Sequence, residues 1–406
     1  MREGWEIKRL SEIGKVYNGN SINEKVKKDN YADLVDGFPF IATKDISYES
    51  KIDYDNGIKI PFEEKYSFKT APKNTVLICA EGGSAGRKIG FTNQEVCFGN
   101  KLFALATNKN IESRYVYYYY FSATFQKHFA VELAGIIGGV SMNKFKDLEI
   151  PLPPLPEQQS IVAILDEAFS VIAQAKAKAE QNLKNAIELF ESYLQGVFEN
   201  KGESWEEKTL AQVSISFGRG KSKHRPRNFE GLYGGKYPFI QTGDIRNCNH
   251  FITEYSQTYN EIGLAQSKLW PSGTICITIA ANIAETGILA FDACFPDSVI
   301  GLVVNEDFAD RDFIEYLLQS FKANLQALGK GAAQDNLNMG TFENKLFPFP
   351  SVIEQKLIVQ KLDALSAETK KLEAIYQQKI ADLEELKKSI LQKAFAGELK
   401  TEKQLS

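Results

Sequence analysis

The chain is written twice. Trp5-Glu6-Ile7-Lys8-Arg9-Leu10 returns as Trp205-Glu206-Glu207-Lys208-Thr209-Leu210, 200 residues later. Phe38-Pro39-Phe40-Ile41-Ala42-Thr43-Lys44-Asp45-Ile46 returns as Tyr237-Pro238-Phe239-Ile240-Gln241-Thr242-Gly243-Asp244-Ile245 at an offset of 199. Further on the offset settles at 197, pairing Cys97-Phe98 with Cys294-Phe295, Arg114 with Arg311 and Tyr119 with Tyr316. It also pairs Phe145 with Phe342, Pro151 with Pro348, Glu157-Gln158 with Glu354-Gln355, and Phe198 with Phe395. Solenoid repeats run about 20–50 residues, so this is not one of them. Whatever fold one copy takes, the other must take as well.

Each copy has two parts, which divides the 406 residues into 1–150, 151–200, 201–347 and 348–406. The first part of each copy mixes short β-like runs, such as Thr75-Val76-Leu77-Ile78-Cys79-Ala80 and Thr274-Ile275-Cys276-Ile277-Thr278-Ile279, with Gly/Pro/Asn punctuation and short helical patterns. That predicts an α+β globule. The second part is a long helix. Ile358, Leu362, Leu365, Thr369, Leu372, Tyr376, Lys379, Leu383, Leu386 and Ile390 alternate in steps of four and three. Ile161, Leu165, Ala168, Ile172, Ala175, Ala179, Asn182, Ala186, Leu189 and Tyr193 repeat the pattern in copy one. Spacing of about 3.5 residues held this long predicts a coiled-coil seam.

Pro151, Pro153, Pro154 and Pro156 lead stiffly into the first helix, and Ser351 with Glu354 forms a capping-box pattern at the second. At about 1.5 Å per residue, some 40 residues make a rod of about 60 Å. Neither helix can expose its seam alone. The economical fold is an intramolecular antiparallel coiled-coil pair joining two similar globules, related by a pseudo-twofold.

The order of these features resembles one family. A Trp-Glu-x-Lys opening, an aromatic-Pro-Phe-Ile…Asp-Ile segment and a run such as Gly329-Lys330-Gly331-Ala332-Ala333-Gln334-Asp335-Asn336-Leu337 precede a proline-rich lead into Glu-Gln and a long helix. Together they resemble the specificity subunit of type I restriction-modification systems, over essentially the whole chain. The resemblance implies that each globule is a target-recognition domain reading one half of an interrupted double-stranded DNA target. It implies that the helices are a spacer and a docking surface for two methyltransferase subunits, which modify adenine N6 using S-adenosylmethionine. Restriction subunits that translocate DNA with ATP and magnesium complete such an enzyme, and this chain itself binds no cofactor. Copy one departs from the pattern, carrying Gly138-Gly139-Val140-Ser141-Met142-Asn143 where copy two has Gln334-Asp335-Asn336-Leu337-Asn338.

Motifs for an activity of the chain's own are missing. No Phe-x-Gly-x-Gly loop or Asp/Asn-Pro-Pro-Tyr/Phe strip marks a methyltransferase site. Gly220-Lys221-Ser222 ends like a phosphate-binding loop, but Ile215 stands where that loop needs its first glycine. Pro296-Asp297 finds no nuclease partner before Glu368-Thr369-Lys370, inside a predicted helix. Three histidines and five scattered cysteines offer neither a zinc pattern nor a disulfide framework. No segment reads as a signal peptide or a membrane span, so the expected compartment is the cytoplasm.

A net charge of −4 does not announce DNA binding, so the case rests on local patches. Copy two concentrates Arg219, Lys221, Lys223, His224, Arg225 and Arg227 within nine residues. Such a loop suits phosphates and, through arginine, guanine O6 and N7. Gln241, Thr242, Arg246 and Asn247 follow, and Gln334, Asn336 and Asn338 form a later amide cluster suited to adenine N6 and N7. Copy one is poorer. Lys25, Lys27 and Lys28 are diluted by acids, leaving Lys44, the turn ending in Arg87 and Lys88, and Asn100, Lys101, Asn143 and Lys144. The run Tyr117 to Tyr120 is predicted to be core, because its counterpart near Tyr316 is amphipathic. A plain scaffold remains the alternative, separated from a reader by whether the complex prefers any DNA sequence.

Overall fold

A computed structural model describes residues 2–31, 34–133, 138–223, 229–280, 283–330 and 339–399, without the side chains of 327–330, 341 and 343. The described chain forms two compact units. The first comprises residues 1–180 and 378–406, the second residues 181–377. Each therefore holds one globule, part of the helix Leu155–Glu199 and part of the helix Val352–Ala396.

The first unit is built on two four-stranded sheets. In one, Gly14–Asn18, Leu102–Thr107, Val76–Cys79 and Ile89–Phe91 lie antiparallel in that order. In the other, Lys59–Ile60, Phe38–Ile41, Val96–Phe98 and Thr70–Ala71 follow one another, with Phe38–Ile41 parallel to Val96–Phe98. A third, two-stranded ladder pairs Glu6–Arg9 with Glu149–Leu152 and ties the start of the globule to its exit. The second unit repeats this plan. Ser214–Arg219, Val299–Val304, Ile275–Thr278 and Thr286–Leu289 make the first sheet, extended by Phe251–Ile252 as a fifth strand. Gln257–Tyr259, Tyr233–Phe239, Ala293–Cys294 and Leu269–Trp270 make the second, and Glu206–Lys208 pairs with Phe347–Phe349.

Central strands such as Val76–Cys79 and Ile275–Thr278 are buried on both faces, as their unbroken apolar runs require. Tyr115, Tyr118, Tyr119 and Tyr120 are buried in the first core beside Phe125, Phe129 and Phe145.

Local geometry explains the drift of the repeat. A bulge between Ser214 and Ser216 adds one residue to copy two's first sheet strand. Another extra residue lies between Val304 and Asp310, so the helices Ser113–Tyr119 and Arg311–Ser320 correspond at an offset of 198. Tyr118 and Tyr316 are then equivalent, since they donate to the equivalent Asp166 and Asp363. The uniform offset that paired Arg114 with Arg311 and Tyr119 with Tyr316 is corrected accordingly.

Each globule is fixed to its long helix by a buried glutamine. Gln158 accepts from the Glu112 amide at 2.9 Å and donates to the Pro153 carbonyl at 2.8 Å. Gln355 accepts from the Asp310 amide at 2.7 Å and donates to the Pro350 carbonyl at 2.8 Å. Ser351 caps the second helix through the Glu354 amide, while the Glu354 carboxylate accepts from the Trp205 indole.

Within each unit the helices run antiparallel. In the first, Ile161, Val162 and Leu165 share a core with Leu391 and Ala394, and Lys176 pairs with Glu384. In the second, Leu194 and Phe198 share a core with Leu362. The seams deviate from strict heptads. Leu189, Tyr193, Leu372, Lys379 and Leu386, expected inside, are exposed, while Leu194, Phe198 and Ser366, outside the expected seam, are buried. A straight helix drifts about 20° per heptad, and its ends turn toward the globules instead of a helical partner.

In urea unfolding of the full chain, Gln355→Ala lowers stability by roughly 2–6 kcal/mol, because two main-chain groups lose their partner at about 1–3 kcal/mol each. The exposed Leu189→Ala stays within about 0.5 kcal/mol. An unchanged midpoint for Gln355→Ala contradicts the role given to this residue.

Candidate nucleic-acid interface

Equivalent close approaches shape one cleft in each unit. After Gly14–Asn18 the chain turns at Gly19 so tightly that a Cβ there would overlap the Phe98 carbonyl. After Ser214–Arg219 it does the same at Gly220 against Phe295. Glycine is needed where backbones meet this closely. The cleft is completed in both units by the end of the aromatic-Pro-Phe-Ile strand and by the turn that follows the Cys-Phe pair.

The first cleft, about 660 Å³, is lined by Lys27, Lys28, Lys44, Asn100 and Lys101, together with Glu24 and Asp45. Lys28, Lys44 and Lys101 are exposed, while Lys27 pairs with Glu24. Asp45 lies beneath, its Oδ2 accepting from the Ala42 amide at 2.8 Å and so fixing the turn that presents Lys44. Burial pushes the Asp45 carboxyl up, against the pull of the Ala42 amide and of Lys44. The glycine-rich turn joins this surface. Lys88 donates to the Thr43 carbonyl at 2.9 Å, and Arg87 and Lys88 lie over the exposed Tyr48 ring at 5.5 and 5.3 Å. Gly82 in turn donates to the Gly138 carbonyl at 2.7 Å, bringing up the loop that leads to Asn143 and Lys144. Asn143 is exposed; Lys144 is held by Glu132 at 2.7 Å. Segments far apart in sequence thus bring Lys28, Lys44, Lys88 and Lys101 to the neighbourhood of one cleft.

The second cleft, about 320 Å³, is lined by Ser222, Tyr233, Gln241, Thr242, Gln257 and Ser298 among others. Its side chains are mostly amides and hydroxyls, with Gln241 donating to Gln257 at 2.8 Å. Arg219, Lys221 and Lys223 are exposed on the segment that runs past it. The structure separates Arg246 from Gln241 and Thr242: it lines another cavity, near the long helices, and Asn247 is exposed at the end of the same short helix. Arg225, Arg227, Gln334, Asn336 and Asn338 lie outside the described residues.

Several residues in or beside the clefts escape sequence reasoning. Gln257 reaches the cleft because Gln257–Tyr259 pairs with Tyr233–Phe239, a register that sequence does not reveal. Lys268 donates to Ser216 at 3.2 Å and sits 3.3 Å from the centre of the Trp270 ring. Burial and neighbouring Lys221 push its ammonium down from the usual lysine range. Lys27 and Lys28 are discounted in sequence for their acidic neighbours, yet both line the first cleft.

Among the described residues no group of His, Cys, Asp or Glu is arranged to hold a metal ion. No described helix is long and apolar enough to cross a membrane.

Comparison with known proteins supplies a context for these clefts. A family model described as "Type I restriction modification DNA specificity domain" matches residues 2–188 and again 202–384. The Type I restriction enzyme MjaIX specificity subunit of Methanocaldococcus jannaschii is 24% identical, over 98% of this chain and 94% of that protein. The Type I restriction enzyme EcoKI specificity subunit of Escherichia coli K12 is 23% identical, over 98% and 89%. Among solved structures, a chain from "Structural basis underlying complex assembly and conformational transition of the type I R-M system" aligns with a TM-score of 0.79 at 19% identity, covering 98% of this chain and 99% of that one. The HsdS subunit from Thermoanaerobacter tengcongensis aligns at 0.63 and 20% identity, covering 98% of each.

If the lysine-lined cleft meets phosphates, Lys44→Ala and Lys101→Ala each lower the slope of log affinity against log salt by about 1 on any duplex. Gln241→Ala leaves that slope unchanged. Anisotropy titrations over a salt series measure both, and unchanged slopes in the lysine variants remove that cleft from the footprint.

Proposed function

This chain belongs to the type I restriction-modification DNA-specificity family, and from that premise we propose that its two clefts read the two halves of one interrupted double-stranded DNA target. The observation that carries this reading is the pairing of a common frame with different linings. The first cleft presents lysines, and the second presents amides and hydroxyls, from overlapping but not identical positions of the shared frame. Ala42, Lys44 and Lys101 stand where Gln241, Gly243 and Ser298 stand in the second copy. Cations suit phosphates and guanine edges; paired glutamines suit adenine, whose N7 and N6 offer one acceptor and one donor. Two halves built this way read unlike bases.

On this reading the chain is not itself an enzyme. It acts in the cytoplasm as the aiming part of an assembly. Two methyltransferase subunits supply S-adenosylmethionine-dependent transfer to adenine N6, and restriction subunits supply ATP- and magnesium-dependent translocation and cleavage. The absence of methyltransferase and phosphate-loop motifs from the sequence, and the naming of its relatives as specificity subunits, support that division of labour.

A modified-base map of DNA from cells expressing the chain with its methyltransferase partner, set against cells lacking the chain, tests this directly. The expected result is a two-part N6-methyladenine motif, with unlike halves separated by unread base pairs, present only with the chain. Methylation without a motif, or a motif that persists without the chain, contradicts the proposal.

A further inference from the structure

In both copies the chain leaving the cleft turns back at one residue in left-handed conformation, Ser50 with φ 65° and His250 with φ 68°. The two positions are equivalent at an offset of 200, each two residues before an isoleucine, Ile52 and Ile252. Serine and histidine there do very different things. His250 Nδ1 lies 2.8 Å from Glu315 Oε2, and its Nε2 lies 2.9 Å from Asp312 Oδ1. Ionised carboxylates only accept hydrogen bonds, so both ring nitrogens donate, which only the imidazolium can do. Glu315 is fully buried and its other oxygen accepts from Thr286 at 2.8 Å, with Gln319 donating to both. The imidazole ring stacks on Tyr316, with centroids 5.2 Å apart, and Tyr316 donates to Asp363 of the second long helix at 2.7 Å.

At the equivalent places the first unit has Ser50, Arg114 and Tyr117. Arg114 there is engaged by Asp166, and burial raises the Tyr117 hydroxyl while neighbouring Ser50 pulls it the other way. Neutral hydroxyls stand at these places in one unit and an ion triad in the other.

We propose that the His250 imidazolium is a positioning residue for DNA recognition by the second unit, locking the segment that carries Gln241 and Thr242 onto the helix Arg311–Ser320. This rests on the reading of that segment as DNA-facing. The short helix Thr242–Asn247 ends three residues before the latch, and adjacent Asn249 is held by Lys370 at 2.5 Å. Releasing His250 therefore frees the end of the segment whose start lines the cleft.

The latch is sensitive to pH. Burial opposes the charge, but the hydrogen bonds donated to Asp312 and Glu315 and the charges of those carboxylates outweigh it, raising the imidazole from 6.5 to about 9. The folded value lies above the ordinary one, so the stabilisation is complete below pH 6.5 and is lost as pH rises through about 9. The surrounding charges come from several elements. On its own helix Asp312 also meets Arg311. Lys322 pairs with Glu285 beside Thr286, and Arg246, Glu191, Lys370 and Glu373 line the adjoining cavity of about 340 Å³. Burial and the charges of Glu315 and Glu285 push the Cys248 thiol up to about 11, and burial and Asp363 push the Tyr316 hydroxyl higher still, so neither titrates in this window.

The test combines histidine NMR of the full chain with pH-dependent binding by the assembled complex to its mapped two-part duplex. One histidine signal, absent from His250→Gln, titrates near 9. Wild-type affinity falls about tenfold between pH 7.5 and 9.5, the scale of one lost charge-assisted interaction. The double variant His250→Gln/Glu315→Gln, which leaves no orphan carboxylate, binds weakly and without this pH dependence. A His250 signal titrating near 6.5, or wild-type affinity in the double variant, overturns the proposal. Hydrogen exchange separates it from the reading beneath it. Faster exchange over residues 242–250 in the double variant, with 43–50 unchanged, upholds the latch even if the complex shows no sequence preference; unchanged exchange over 242–250 refutes it.

Discussion

A proline-rich strand and a short helix each end on a main-chain group that neither can satisfy alone. One buried glutamine per unit satisfies both: Gln158 bridges Glu112 and Pro153, and Gln355 bridges Asp310 and Pro350. An unpaired buried amide or carbonyl costs about 1–3 kcal/mol, so this junction holds globule and long helix in one register. Because the bonds go to main chain, the junction is indifferent to what the flanking side chains are. The helices, the cores they share with the globules and the clefts are all placed from it.

That indifference lets two copies of a frame carry unlike surfaces. The backbone is pinned where it must be, at Gly19 and Gly220 against the Phe98 and Phe295 carbonyls, and by Asp45 and Asp244 capping the turn beside each cleft. Lining side chains between those points change at little cost to the fold. Lys101 in one unit and Ser298 in the other, or Ala42 and Gln241, are alternatives on the same scaffold. The neutral Ser50 and Tyr117 in one unit and the His250 triad in the other show the same freedom one layer further in.

The frame was legible in the sequence, because repetition, apolar runs and heptad spacing follow from backbone geometry and burial. The duplication, the α+β globules and the two long helices are all present in the structure. Single-residue register was not legible. The bulge at Ser214 and the extra residue before Asp310 shift the offset without leaving any compositional mark. The candidate surface was visible only in pieces. Counting charges along the chain finds Arg219, Lys221 and Lys223, but undervalues Lys27, Lys28, Lys44 and Lys101, which only strand pairing brings together. It also joined Arg246 to Gln241, although a short helix turns them toward different cavities.

The central claim is that a shared frame carries exchangeable readers, and transplanting one lining onto the other copy tests it most directly. Ala42→Gln, Lys44→Gly and Lys101→Ser give the first cleft the residues of the second, and the methylated motif is then remapped in the assembled complex. The account predicts that one half of the motif changes while the other half and the gap between them stay as they were. A motif altered in both halves, or unaltered in either, contradicts it.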